Sequence, residues 1–241
     1  MTAKKFYLLL LFIITLVGCN NSQTDKSNEI YKNYFFKPDW FEKPKIYVYE
    51  SKSKDKVKGN NDKINVYRYY EKINDNKLKY IVYDNDFNQI SIIIYEYLED
   101  KVIVSELYTI ETWNNNRKVN EKVIENVVFD YKNINKEFRI TYKSRFKGYP
   151  NVTKYATRKI KKIEKGKYDG NEINVLIVDG KTIGDFIIKS RHMTSTNYEK
   201  FVYADKIGLI HSESKNSTIE IVEDLTSIIS LEDFNKMKDK R

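Results

Sequence analysis

Glu137-Phe138-Arg139-Ile140-Thr141-Tyr142-Lys143-Ser144-Arg145-Phe146 alternates without a break. Phe138, Ile140, Tyr142, Ser144 and Phe146 fall on one side of an extended chain, and Glu137, Arg139, Thr141, Lys143 and Arg145 on the other. Successive side chains of a strand point to opposite faces, so this stretch reads as a strand with one buried and one wet face. The same period of two governs 46–49, 64–70, 78–83, 89–98, 102–113 and 123–131, then 152–163, 173–178, 182–188, 198–203, 207–212 and 219–225. Short polar breaks such as Asn74-Asp75-Asn76, Asp84-Asn85-Asp86, Glu99-Asp100 and Asp179-Gly180 separate neighbours at hairpin length. Only Leu231 to Lys240 has a helical layout. Ser230 stands as its N-cap, with Glu232 and Asp233 in the first turn and Lys236, Lys238 and Lys240 late.

A row of long antiparallel strands has to cover its apolar face and protect its edges. A closed barrel, a sandwich, or a curled half-barrel under helices all meet that need. In 89–98, Ile90, Ile92 and Ile94 oppose Ile93, Tyr95 and Tyr97, which calls for cover on both sides. The expected fold is mainly β: an antiparallel meander over 45–228 curled into a half-barrel or open barrel, with a short covering helix or helices and a C-terminal helix or tail at 229–241. Cations on both faces of 158–167 read as an edge strand kept from aggregating, with an anionic head-group site as the rival.

At the other end of the chain, Lys4 and Lys5 precede the apolar run Phe6 to Val17, and Leu16-Val17-Gly18-Cys19 holds the only cysteine. A charged start, a short apolar middle and small residues at the exit have the layout of a secretory signal. The run falls short of the roughly 20 apolar residues that span a bilayer. Its end resembles the lipobox of bacterial lipoproteins, which implies removal of 1–18 and lipidation of Cys19. A diacylglyceryl cysteine holds a protein on a membrane without a spanning segment. Asn20 to Asn28 reads as a polar tether. Tyr31, Tyr34, Phe35, Phe36 and Trp40 read as a segment docking on the domain, so 19–44 forms a lipidated tether and docking unit, with a membrane-facing aromatic patch as the alternative.

The net charge of +9 falls to +7 once Lys4 and Lys5 leave. In an exported protein, that balance favours anionic lipid heads or a well-solvated lysine surface over nucleic acid. No cysteine remains for a disulfide or thiolate metal site. With Gly at 8 and Pro at 3, Gly-rich phosphate loops are missing too.

Phe201-Val202-Tyr203-Ala204-Asp205-Lys206-Ile207-Gly208-Leu209-Ile210-His211-Ser212-Glu213 resembles the strand-turn-strand signature of LolA-like half-barrels and related envelope lipoproteins. The resemblance implies a half-barrel domain, with Gly208 letting backbones approach beside the Asp205-Lys206 turn. The chain departs from the carriers in having a lipobox and no long early helix.

No stretch spells out a chemistry. His192 and His211 lack partners at metal-ligand spacing, there is no GxSxG turn, and Asp84-Asn85-Asp86 lacks the Gly and distal Glu of a calcium loop. Carboxylates such as Glu96 and Glu99 form no ranked acid–base pair. The expectation is a non-enzymatic lipoprotein of the bacterial envelope, on the periplasmic face of the outer membrane, with no catalytic residues, metal or cofactor. Its concave face would hold a lipid or other apolar ligand on Phe138, Ile140 and Tyr142, or on Ile90, Ile92 and Ile94, with polar groups only at the mouth. The alternative is a structural or protein-interaction lipoprotein, an immunity or assembly factor, with a filled core. An envelope hydrolase ranks last.

Overall fold

The computed structural model describes residues 30–112, 115–144, 151–188 and 191–240. Its strands are β1 (Lys45–Asp55), β2 (Asn61–Asn74), β3 (Lys77–Tyr83), β4 (Gln89–Tyr97), β5 (Lys101–Glu111), β6 (Arg117–Asn120), β7 (Lys122–Asp130), β8 (Phe138–Ser144), β9 (Val152–Tyr168), β10 (Asn171–Ile188), β11 (Arg191–Ala204), β12 (Gly208–Lys215) and β13 (Ile219–Ser230). Two short 3₁₀ helices, Ile30–Asn33 and Pro38–Phe41, precede them, and one helix, α1 (Leu231–Asp239), follows. Apart from β6 and β7, which do not pair with each other, each strand pairs antiparallel with its chain neighbour, and β13 returns to pair with β1 from Lys45↔Ser230 to Asp55↔Ile219.

β6 and β7 lie along the same edge of β5, Tyr108 opposite Asn120 and Ile103 opposite Val127. Between them the Glu121 amide donates to the Leu107 carbonyl at 2.8 Å, so the two form one interrupted strand. The result is a closed, twelve-stranded antiparallel barrel with short helices. The meander expected from the sequence is present, and its curl runs on to closure. A half-barrel or open barrel would leave β1 and β13 as edges; here β1 is paired along both sides.

β9 pairs with β8 only over Val152–Arg158, so among the described residues 159–168 pairs with β10 alone, in keeping with the edge reading of 158–167. Its mixed faces come from a bulge, since Ile160 opposes Val178 while Lys162 opposes Ile177, leaving Lys161 as the extra residue. The bulge shifts the alternation by one, so Ile160 and Ile163 both pack on the core.

The N-terminal aromatics plug one end of the barrel. Tyr34, Phe35, Phe36 and Phe41 are all buried. The Phe35 ring meets Tyr95 and Phe129 at 5.7 Å and Tyr203 at 6.0 Å, and Phe36 lies 4.3 Å from Tyr70 and 5.4 Å from Tyr47. Tyr97 donates to the Phe36 carbonyl, and the Lys206 amide to that of Asn33. Gly208 makes room for this plug: at φ +93°, a Cβ there would stand 2.3 Å from the Phe36 ring. The close approach inferred at Gly208 is thus made by an aromatic ring rather than by backbone.

A second cluster lies outside the barrel. Ile46, Val48, Tyr67, Tyr69 and Ile81, on the outer faces of β1 to β3, are covered by Phe234 of α1 and by Phe87. The helix starts where the sequence places it, the Asp233 amide donating to Ser230 Oγ at 3.1 Å.

Candidate functional site

The barrel is solid next to the plug and hollow beyond it. On one side of the filled part, Arg68 pairs with Glu223, Ser212 Oγ donates to the same carboxylate at 3.0 Å, and the guanidinium stacks 4.2 Å from the Tyr49 ring. Tyr49 in turn donates to the Leu209 carbonyl at 2.6 Å, and full burial pushes its phenol well up. The charge of this interior arginine is thus answered by Glu223, although its buried Nε, among the described residues, makes no hydrogen bond.

Further along the strands a cavity of about 370 Å³ opens. Its lining comes from alternate residues of β4, β5, β7, β8, β9, β10 and β11, which places it inside the wall. One side is apolar: Ile93, Tyr95, Val104, Leu107, Val128, Ile140 and Tyr142. The other combines small residues (Ala156, Thr182, Gly184, Ser195) with Lys154, Arg158, Asn197 and Glu199. The small side chains create the space, because strand positions that carry Ile or Tyr across the barrel carry little here. At Gly184 a Cβ would come within 3.1 Å of Ser195 Oγ.

Charge inside this cavity is unevenly matched. The Arg158 guanidinium carbon lies 4.4 Å over the Phe201 ring, and its buried Nε has no hydrogen-bond partner among the described residues. Glu199 instead accepts from Thr182 Oγ1 at 3.0 Å. Lys154 lies over the Tyr142 ring at 5.5 Å. Deeper toward the far end, Glu121 is only 3% exposed, and among the described residues neither of its carboxylate oxygens finds a hydrogen-bond partner. Burial raises its pKa above the usual carboxylate range, with the nearby Thr109 and Ser144 hydroxyls and the Lys154 charge opposing the rise. Its neighbour Glu111, fully buried, is held by Arg117 through two contacts of 2.8 Å.

Of the residues expected to line a ligand site, Ile140 and Tyr142 do line the cavity, while Phe138 sits beneath it in the filled core, 5.6 Å from Phe129. Ile90, Ile92 and Ile94 are a correction: they stand on the outer face. Ile93 opposes Tyr80 and Leu107, and Tyr95 opposes Leu78, so that set faces inward. Ile92 packs with the outer cluster, Ile94 stands between Lys79 and Glu106, and Ile90 is exposed. With apolar residues on both faces, period two alone could not choose. A second correction concerns polarity, for Arg158 and Glu199 lie along the cavity wall and not only at a mouth. The signal for Lys154 and Arg158 was present in their parity with Ala156 and Ile160, but lysine-rich strands read first as solvated.

Both histidines are placed. His192 is exposed and 4.0 Å from Asp185. His211 lies on the outer wall, Nδ1 2.7 Å from Asp224 and Nε2 3.1 Å from Glu213, whose carboxyl that contact holds below its ordinary range. Both ring nitrogens are engaged by carboxylates, leaving neither to activate a nucleophile. This histidine borders an outer groove of about 780 Å³ between the end of the β9–β10 hairpin and β13. Asp84 accepts the Asp86 and Asn88 amides at 2.9 Å, a turn and not a calcium loop. Among the described residues no group of three or more His, Cys, Asp or Glu side chains is arranged to hold a metal. Cys19 and the tether lie outside the described residues.

No protein-family model and no curated protein sequence matches this chain. Among solved structures, a candidate lipoprotein of Parabacteroides distasonis is similar at TM-score 0.49 and 15% identity, covering 77% of this chain and 94% of its own. A candidate exported protein with YmcC-like fold from Bacteroides fragilis aligns at TM-score 0.46 and 10% identity, covering 77% and 95%. The hypothetical lipoprotein YmcC of Escherichia coli aligns at TM-score 0.29 and 8% identity, covering 76% and 86%. These three are described as lipoproteins or exported proteins, and none of the three is described as LolA-like, the resemblance carried by 201–213.

Proposed function

We propose that this chain is a lipid-anchored, non-enzymatic protein of the bacterial envelope that binds a small amphipathic ligand inside its barrel. The observation that carries the reading is the interior cavity of about 370 Å³, within the range of ligand pockets (roughly 300 to 1,000 Å³), in a barrel whose other half is packed solid with aromatic rings. An interior meant only for stability would be filled throughout, since native cores leave few voids larger than a water molecule. The outer wall supports a barrel held off the bilayer: β8 to β11 carry Arg139, Lys143, Lys159, Asp179, Lys181 and Lys200 on the side opposite the cavity. Each lysine or arginine facing lipid at the midplane would cost about 2–4 kcal/mol.

The anchor is tested first. Cys19→Ser should move the protein from the membrane pellet to the soluble fraction, or stall its processing, because the thiol is the lipid acceptor and the polar tether has no apolar face. A correctly processed serine variant that still pellets with membranes would place the anchor elsewhere.

Uptake is tested with a fluorescent fatty-acid probe. The parent should bind it, and Ile140→Trp should abolish uptake with a stability change below about 1 kcal/mol, because the ring extends into open volume. In a packed core the same change would cost about 1–3 kcal/mol by overpacking. That larger loss, with no uptake by the parent, would favour the second reading, an interaction module. The outer groove beside His211 is the observation in its favour.

A further inference from the structure

We infer that the interior cavity takes an amphiphile with one oxyanion head, anchored on Arg158, with its apolar body against the β4–β8 wall. This rests on the binding reading above and names the ligand's class. The barrel supplies its own control. Arg68 also faces the interior, and Glu223 neutralises it. Arg158 has no such partner: among the described residues no carboxylate lies within 4.0 Å of it, and its guanidinium lies over the Phe201 ring; the buried Nε of both arginines makes no hydrogen bond, so the difference lies in the carboxylate. Glu199, two strands away on β11 and in the same row across Gly180, leans over that glycine and is engaged by Thr182.

An unpaired interior cation costs several kcal/mol, so a guanidinium left open at the wall of a cavity is a poor device for stability. It suits recognition, since its fork of N–H donors matches an oxyanion. Lys154, on the same face of β9 and toward the far end, lies over the Tyr142 ring and adds positive potential, which Glu121 also feels. Across the cavity, Ile93, Leu107 and Val128 offer no polar group to the rest of the ligand, and Ile140 of β8 continues this apolar lining up to β9. Head and body are therefore assigned to opposite walls. Carboxylates and phosphate monoesters share the required head chemistry.

The experiment is calorimetric titration of the purified Cys19→Ser protein with four ten-carbon probes: decanoate, decyl phosphate, 1-decanol and decyltrimethylammonium. An oxyanion should bind at least tenfold more tightly than decanol, and the cation most weakly of all; the better of decanoate and decyl phosphate identifies the head. Arg158→Met should erase the preference while leaving decanol affinity within about twofold, and Lys154→Met should reduce it in part. Should Arg158→Met prove unfolded by circular dichroism, Arg158→Lys takes its place and should keep the preference for anions at reduced strength. Equal binding of decanol and both anions, or an anion preference that survives Arg158→Met, would overturn the inference while leaving the binding reading intact. Binding of none of the probes would overturn that reading and this inference with it.

Discussion

Phe36→Ala is expected to lower the free energy of unfolding by about 3–5 kcal/mol, the usual cost of truncating a buried phenylalanine. The ring is the centre of the plug, in contact with Trp40, Phe41, Tyr47 and Tyr70 and seated over the backbone of Gly208. Trp40 and Phe41 belong to the second 3₁₀ helix, Tyr47 to β1 and Tyr70 to β2, so these rings cannot all collapse into the space left behind. Urea denaturation followed by tyrosine and tryptophan fluorescence reads the loss. Gly208→Ala should cost about 1–3 kcal/mol alone, through overpacking and its positive φ. In the Phe36→Ala background that cost should shrink, since the ring the new methyl would strike is gone; strict additivity of the two changes would show that the contact at Gly208 is not the constraint.

The second large effect lies at the other interior arginine. Arg68→Met should destabilise by about 3–5 kcal/mol, because it leaves Glu223 inside the barrel with Ser212 as its one remaining donor. Adding Glu223→Gln should recover much of the loss, a buried pair being replaceable at little cost when both members go. A single variant as stable as the parent would mean that water reaches Glu223 freely. The contrast with Arg158 gives the pair its wider meaning: one interior guanidinium is built into the wall and one is left open to the cavity.

Much of the architecture was legible in local pattern. The alternation through Phe138, Ile140, Tyr142 and Ser144 put the right face inward, and Ser230 marked the start of α1. Closure was not legible, because it depends on β1 and β13 meeting across nearly the whole chain, and no local pattern encodes that register. Bulges hid the rest. Lys161 shifts β9 by one residue, and Thr226, whose hydroxyl donates to the Val48 carbonyl at 2.9 Å, does the same to β13 between Leu225 and Ser227. Past such a residue a period-two reading assigns the wrong face. The 89–98 stretch fails for another reason, since both of its faces are covered, one by the aromatic interior and one in part by Phe87 and the outer cluster.

The site was half legible. Its apolar wall followed from β8, but the hollow was written in what is small, Ala156, Gly184 and Ser195, at positions that share a face only once β9, β10 and β11 are paired. Its cations were hidden among many lysines of similar appearance, and only burial separates Arg158 from those on the outside.

The central claim is that the hollow half of the barrel, and not its outer surface, receives the ligand. A diazirine-bearing fatty acid, photolysed with the purified Cys19→Ser protein and mapped by peptide mass spectrometry, tests it most directly. Labelling should concentrate on the peptides carrying Leu107, Ile140 and Tyr142, and excess decanoate should suppress it. Labelling confined to the outer groove around Val202, Asp224 and Ser227, or spread without saturation over the surface, would contradict the account.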